Sequence, residues 1–230
     1  MSGPTDRRRV LNEELSTESD ILVLGIGNIL WADEGFGVRA LEALDAAYTF
    51  PDEVRLMDGG TQGLYLLPYV QGARRVIVFD AVDYGLPPGT FKLVRNADIP
   101  AYLGIRKMSL HQSSFQEVLS LAMFSGQFPE DMLLIGVQPE DVSDYGGSLR
   151  DSVRACLPQA LAVALETLAG WGSPGIPRPA AQTMTEADPA DASSDCLSMD
   201  AYEAGRPSED QAWRMGDARV ANQLFSDGGT

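Results

Sequence analysis

The chain has 230 residues and a formal net charge of −16, and 44% of its residues are hydrophobic. This length and apolar content suffice for one well-packed domain. The excess of carboxylates excludes nucleic acid as an expected partner and disfavours anionic membrane surfaces, because both require a basic patch. No apolar run is long enough to span a bilayer. Two isolated cysteines, no CxxC motif and no signal peptide indicate a reduced, cytoplasmic setting.

Composition divides the chain into three parts. Residues 1–19 are polar and predict a disordered arm, whereas residues 20–172 carry nearly all of the periodic apolar pattern. Residues 173–230 are rich in Pro, Ala, Ser and Asp at first and predict a flexible acidic tail. One mixed segment of this tail, Cys196–Glu203, has a second interpretation, in which it docks on a partner or on the protein's own surface.

Strands and helices are predicted to alternate through residues 20–172. Ser113 and Gln116 have capping-box spacing at the start of one helix, and Pro158 predicts a kink in the last. In chain order the predicted elements are strand Ile21–Gly25, helix Gly35–Tyr48, strand Val54–Met57, helical turns at Gly63–Val70, strands Arg75–Phe79 and Thr90–Val94, helix Ser113–Phe124, strand Met132–Val137 and helix Leu149–Leu168.

This alternation, with near-continuous apolar strands, predicts an α/β fold. We expect a twisted, mostly parallel sheet of about five strands with helices on both faces, a three-layer αβα arrangement. Thr90–Val94 follows the preceding strand too closely for a helical crossover, so we place it as an antiparallel edge strand.

Several carboxylates are predicted at one edge of this sheet. Glu34 follows the first strand, Asp58 follows the second and Asp80 ends the third. In open α/β sheets, ligands bind beyond the carboxyl ends of the strands. The only histidine, His111, is expected in a loop just before a helix. Two carboxylates and one imidazole would accept nickel or zinc with open positions left, a set suited to a metal that arrives already bound to something else.

Each of these residues also has a structural interpretation. Asp33 and Glu34 are adjacent acidic residues of the kind that favour a helix N-terminus, with Asp33 as the cap. Asp80 could cap the following turn together with Asp83, and His111 could be a satisfied, partly buried imidazole.

The glycine-rich segments have alternatives of their own. A dinucleotide fingerprint in GIGNIL requires glycine at its sixth position, where Leu30 stands, so a nucleotide site is disfavoured. Asp58 could bond backbone amides in a turn. The three glycines that follow, within Gly59–Gly63, could instead let the backbone of another chain approach closely.

In this order, the motifs resemble those of the maturation endopeptidases of nickel–iron hydrogenases. The resemblance covers residues 20–172 and a short segment of the tail, where two motifs are similar to those of the subgroup that serves membrane-bound uptake hydrogenases. The motifs are GIGNILWADEGFGVR (Gly25–Arg39), DGGTQGL (Asp58–Leu64), DAVDYG (Asp80–Gly85), KMSLHQSSF (Lys107–Phe115) and GVQP (Gly136–Pro139), and the subgroup motifs are DYGGSL (Asp144–Leu149) and DCLSMD (Asp195–Asp200).

The resemblance implies a peptidase that trims the C-terminal extension of the hydrogenase large-subunit precursor after nickel insertion. It also implies a five-stranded sheet and a site for nickel that the precursor carries, rather than a tightly bound ion. Family members have been grouped with aspartic proteases. The implied metal ligands are Glu34, Asp80 and His111, the catalytic residues are Asp80 and Glu34 with Asp58 as a further candidate, and the candidate substrate-binding residues are Gly59, Gly60, Thr61 and Gln62.

Three functions remain open from the sequence. The leading hypothesis is metal-directed peptide hydrolysis, because the chain contains no GxSxG or HExxH motif and no Cys–His pair with a known local signature. The second is a nickel-dependent checkpoint module that recognises the loaded precursor without cutting it. The third is a nucleotide-binding α/β domain.

Overall fold

The structure, a computed structural model, describes residues 19–96, 98–99, 110–179, 199–205, 212–213 and 216–217. Within these ranges, the side chains of residues 110–114, 200, 205, 212–213 and 216–217 are not described. The predicted arm at residues 1–19, apart from Ser19, lies outside the described residues, as does Cys196.

A five-stranded sheet organises the domain, with strand order β3-β1-β4-β6-β5. The first four strands of this order are parallel, and β5 pairs antiparallel to β6 at the edge. The predicted antiparallel edge strand is therefore confirmed. The strands are β1 (Ser19–Ile26), β2 (Tyr48–Thr49), β3 (Val54–Gly60), β4 (Ala73–Ala81), β5 (Phe91–Arg95), β6 (Asp131–Val137), β7 (Ile176–Pro177), β8 (Ala212–Trp213) and β9 (Gly216–Asp217).

Helices cover both faces of the sheet. Successive residues of β1 point to opposite sides, so that Ile21 and Val23 join one apolar core while Leu22 and Leu24 join the other. The first core is closed by α1 and α5 and the second by α2 and α3. The three-layer α/β prediction is thus confirmed. The helices are α1 (Phe36–Ala47), α2 (Leu67–Gly72), α3 (Leu110–Phe124), α4 (Asp151–Arg154), α5 (Leu157–Gly170) and α6 (Met199–Gly205), with 3-10 turns at Ala32–Gly35 and Gly63–Leu66.

Two predicted helix boundaries are wrong. The single last helix is instead the pair α4 and α5, and Pro158 lies in the first turn of α5, where its missing N–H costs nothing. Helix α3 begins at Leu110, so Ser113 lies inside it and His111 lies in its first turn rather than before it. Capping-box spacing is also the spacing of neighbours on one helix face, and it therefore does not fix where a helix starts.

Part of the predicted tail packs on the domain. Strand β7 pairs antiparallel with β2, and the Arg178 guanidinium lies 3.0 Å from the Asp45 carboxylate. Helix α6 binds the domain through an ion pair between Glu203 and Arg154 and a hydrogen bond from the Ser148 hydroxyl to Glu203. Within the predicted flexible tail from residue 173, a strand and a helix therefore contact the domain, and α6 includes the described part of the segment Cys196–Glu203. None of the helices in the described part of the chain has the length and apolar character needed to cross a membrane.

Candidate active site

The site lies where the carboxyl ends of β1 and β4 meet the start of α1. Gly37, in the first turn of α1, packs against both strand ends: a Cβ there would lie 2.2 Å from the carbonyl oxygens of Ile26 and Phe79. Gly27 has a φ of +135°, and a Cβ there would collide with the Glu34 carbonyl. The glycines of this segment therefore let the Glu34 loop lie directly against the end of the sheet.

Asp33 is buried and joins two loops through hydrogen bonds. Its carboxylate accepts backbone N–H groups from Glu140 at 2.8 Å, Asp141 at 2.9 Å and Arg150 at 2.7 Å. It caps no helix: the adjacent 3-10 turn and α1 have no side-chain cap hydrogen bond. The expectation that Asp33 is a helix cap is therefore wrong, because its partners lie more than 100 residues away and leave no local signal.

Glu34 is half-buried in the 3-10 turn that leads into α1. Its backbone N–H donates to the Trp31 carbonyl at 2.9 Å, which fixes the turn. Burial removes water from the carboxyl group and raises the pKa of Glu34 to about 7. The group can therefore gain or lose a proton near neutral pH.

Asp80 is the penultimate residue of β4 and is only 1% exposed. Burial raises the pKa of Asp80 well above its usual range, a backbone hydrogen bond from Ala81 opposes this, and the nearby Glu34 charge adds to it. Among the described residues, Asp80 Oδ1 is one of the few buried side-chain oxygens without a hydrogen-bond partner. The turn that follows is closed instead by Asp83, which accepts the Gly85 N–H at 2.8 Å.

Glu34 and Asp80 thus form a pair of desolvated carboxyl groups whose charges interact. Such an arrangement disfavours two negative charges and becomes favourable when a cation compensates them. The Oδ1 atom of Asp80, which has no hydrogen-bond partner among the described residues, also favours a cation. A buried carboxylate oxygen normally binds a hydrogen-bond donor or a metal. The two residues therefore fit a divalent cation.

The backbone of His111 lies at the same edge of the sheet. Helix α3 has 15 residues, so it is about 22 Å long. It ends at Phe124 before the chain returns to the start of β6 at Asp131, which places its first turn at the carboxyl edge of the strands. Helix α3 contacts the 3-10 turn Gly63–Leu66, which follows β3, in agreement with this direction. The side chain of His111 is outside the described residues, and the side chains that are described form no group of three or more possible metal ligands.

Asp58 is exposed at the end of β3, in register with Gly25 of β1. Its carboxylate accepts the Gly60 N–H at 2.8 Å, so Asp58 makes the turn expected from the sequence. This bond leaves the group at the sheet edge next to the Glu34 loop, since the Gly60 carbonyl in turn accepts the Gly27 N–H at 3.0 Å.

The loop from Gly59 to Gln62 presents backbone to solvent. Gly59 is buried against β1, Gly60 has a φ of +43°, and Thr61 and Gln62 are exposed. The Gln62 N–H donates to the Gly59 carbonyl at 3.0 Å, which closes the loop into a tight turn. A polypeptide bound at this edge would contact the polar side chains of Thr61 and Gln62 and, at Gly60, a backbone without a side chain.

Gln138 is a structural component of the site that the sequence interpretation does not single out. It is buried directly after β6, and its carbonyl oxygen accepts the backbone N–H groups of Tyr84 at 2.7 Å and Leu86 at 3.2 Å. Its amide nitrogen donates to Asp83 at 3.1 Å. Gln138 therefore holds the loop that follows Asp80. Its place in the GVQP motif and its polarity at the end of an apolar strand are the signals that could have pointed to it.

Comparisons with known proteins point to one family. A family profile described as "HycI: Hydrogenase maturation protease" matches residues 38–167. The chain is 56% identical over 207 residues to the hydrogenase expression/formation protein HoxM of Azotobacter vinelandii, covering 90% of this chain and 97% of the relative. It is 50% identical to the HoxM protein of Cupriavidus necator, covering 88% and 98% of the two chains.

A solved structure shows the same relationship. The hydrogenase maturating endopeptidase HybD from Escherichia coli superposes with a TM-score of 0.65 at 40% sequence identity. The match covers 69% of this chain and 97% of HybD. The α/β unit thus spans nearly the whole of that relative, and the present chain is longer.

Proposed function

Because the chain belongs to the hydrogenase maturation protease family and is therefore a peptidase, we propose that it removes the C-terminal extension of a nickel–iron hydrogenase large-subunit precursor after nickel insertion. The precursor is the substrate, and nickel is part of that substrate. The observation that carries the proposal is the desolvated carboxyl pair Glu34 and Asp80 at the carboxyl edge of the sheet.

In this proposal the carboxyl pair recognises the charge that the precursor brings. Without a cation, burial raises the pKa of Asp80 well above its usual range and raises the pKa of Glu34 to about 7. Arrival of the metal-loaded segment favours loss of both protons and supplies a partner for Asp80 Oδ1. His111, in the first turn of α3, is proposed as the third ligand. Precursor without nickel brings no cation for the carboxyl groups to bind and therefore binds poorly.

The chemistry at the scissile bond follows from the same groups. Precursor-borne nickel would supply Lewis acidity to polarise the scissile carbonyl or to acidify a water molecule. Glu34, half-buried at this edge of the sheet, is proposed to accept a proton from that water and to return it to the leaving amine. Asp58 and the Gly59–Gln62 loop are proposed to line the path of the substrate backbone, because Asp58, Thr61 and Gln62 are exposed beside β1.

A mass-spectrometric cleavage assay on the nickel-loaded precursor tests this assignment. The wild-type chain should release one C-terminal peptide, and Glu34→Gln and Asp80→Asn should abolish release while the proteins stay folded. Glu130→Gln is the matched control, because Glu130 is exposed before β6 at the opposite edge of the sheet. Normal processing by either site variant would remove that residue from the site. A precursor that binds the wild-type chain and stays uncut would favour the non-catalytic checkpoint instead.

A further inference from the structure

An exposed apolar cluster lies beside Glu34. Leu30, Trp31 and Tyr145 are 39%, 36% and 52% exposed. The rings of Trp31 and Tyr145 contact each other edge to face, with centroids 5.2 Å apart and an interplanar angle of 66°. We refer to these three residues as the aromatic platform. Scattered exposed apolar residues are ordinary on protein surfaces, so the case for a function depends on how the platform is held.

Backbone hydrogen bonds hold the aromatic platform in place. Trp31 and Tyr145 form an isolated β-bridge, and the Gly146 N–H donates to the Leu30 carbonyl at 2.8 Å. Ala32, directly after Trp31, has a φ of +41°, a conformation that costs a non-glycine residue energy.

The buried Asp33 secures the same two loops. Its carboxylate binds three backbone N–H groups of the loop that carries Tyr145. Strained backbone and a fully bonded buried carboxylate thus present two aromatic side chains to solvent in a rigid arrangement. Rigidity of this kind lowers the entropy lost when a ligand binds.

Position and charge indicate what the platform binds. The Trp31 carbonyl accepts the Glu34 N–H at 2.9 Å, so the platform lies within one turn of Glu34. Arg150, which follows Tyr145 in the same loop, pairs with Asp141 at 2.7 Å and with Asp144 at 2.9 Å, so its positive charge is engaged by carboxylates. The three side chains of the platform are uncharged and exposed, so apolar groups are the partners with which they can bury surface.

We propose that the aromatic platform is the docking surface for apolar side chains of the precursor polypeptide next to the segment that is cut. This inference rests on the proposed function. Trp and Tyr side chains in rigid surroundings are the residues that most often dominate the binding energy of protein interfaces.

Steady-state kinetics on the nickel-loaded precursor with the full chain test the proposal. Trp31→Ala and Tyr145→Ala should each lower kcat/KM by about tenfold through KM, with kcat nearly unchanged. Tyr145→Phe, which keeps the ring, should retain most of the affinity. Phe124→Ala is the matched control, because Phe124 is 92% exposed at the opposite edge of the sheet. Unchanged KM in both alanine variants would overturn the proposal, as would a loss confined to kcat.

Two further measurements separate this inference from the proposed function. If the wild-type chain does not cut the precursor, the Kd of the uncut complex decides: weakening by about tenfold in the alanine variants supports docking, and unchanged Kd overturns it. Acrylamide quenching, assigned with Trp31→Phe, tests other occupants. Trp31 should be accessible in the isolated chain and protected by precursor. Protection before precursor is added would assign the platform to another segment of the chain or to a second copy, and would overturn the proposal.

Discussion

Asp80 is a carboxyl group in a place where its ionised form is disfavoured. It is buried at the end of β4, it has one oxygen without a hydrogen-bond partner among the described residues, and it is close enough to Glu34 for their charges to interact. Groups of this kind reduce the stability of the empty protein and are retained because they serve the ligand.

Replacement of Asp80 by asparagine should therefore separate stability from function. Asp80→Asn keeps the shape and an acceptor for the Ala81 N–H but removes the ionisable group. We expect the free energy of unfolding at pH 7 to rise by about 1–3 kcal/mol, while processing of the precursor is lost. Urea denaturation and the cleavage assay measure the two effects. A variant less stable than the wild-type chain would contradict this account of Asp80.

Glu34 should leave a signature in the pH dependence of stability. The pKa of Glu34 lies at about 7 in the folded chain against an ordinary value of 4.5. Between these values the folded chain binds more protons than the unfolded chain, so the contribution of Glu34 to stability is greatest at low pH and is lost as pH rises to 7.

The corresponding variant is Glu34→Gln. It should be more stable than the wild-type chain by about 1–2 kcal/mol above pH 7, after allowance for partial exposure, and the difference should shrink toward pH 4.5. Denaturant unfolding across this range measures it. Glu130→Gln, at an exposed position, should follow the wild-type curve. A Glu34→Gln curve parallel to the wild type would show that the pKa of Glu34 is not raised.

At the scale of elements, close contact between α1 and the sheet positions the site. Gly37 allows this contact, since its missing side chain leaves room for the carbonyls of Ile26 and Phe79.

Substitution of two glycines by alanine tests this explanation. Gly37→Ala should lower the free energy of unfolding by about 2–3 kcal/mol and slow processing, because α1 must move away from the strand ends. Gly170→Ala, where a Cβ meets nothing within 4 Å, should be neutral or stabilising by about 0.5 kcal/mol. Equal effects of the two substitutions, measured by chemical denaturation, would refute the close-contact explanation.

The elements also show what sequence can predict. Strand positions follow from local apolar patterns, and for that reason Ile21–Gly25 and Arg75–Phe79 fall within the observed β1 and β4. The edge placement of Glu34 and Asp80 then follows from parallel topology. Helix boundaries are less accessible, because Ser113 has the spacing of a cap inside a helix. Hydrogen bonds between residues far apart in the chain, such as that from the Arg150 N–H to the Asp33 carboxylate, leave no pattern in the local sequence and could not be predicted.

At the scale of the molecule, a helix of the C-terminal region packs on the α/β unit. Helix α6 contacts the domain through Glu203, which pairs with Arg154, and through Tyr202, whose ring lies 5.5 Å from the Arg39 guanidinium carbon. The Arg154 guanidinium lowers the pKa of Glu203. This ion pair is partly exposed and therefore contributes modestly to stability.

Glu203→Gln should loosen α6 with little effect on the rest of the domain. We expect a loss of about 0.5–1 kcal/mol in the local stability of α6, reduced in high salt, and a nearly unchanged Tm. Hydrogen exchange of residues 199–205 measures the local change, and exchange in β1 and β4 is the internal control. Unchanged protection of α6 would show that the ion pair does not hold the helix.

In the proposed function, nickel carried by the precursor directs cleavage through Glu34 and Asp80. The most direct measurement is a mass-spectrometric comparison of nickel-loaded and nickel-free precursor incubated with the full chain. We predict loss of one C-terminal peptide from the loaded precursor alone. Equal cleavage of both forms would contradict metal-directed recognition and would leave the carboxyl pair as a metal-independent catalytic pair.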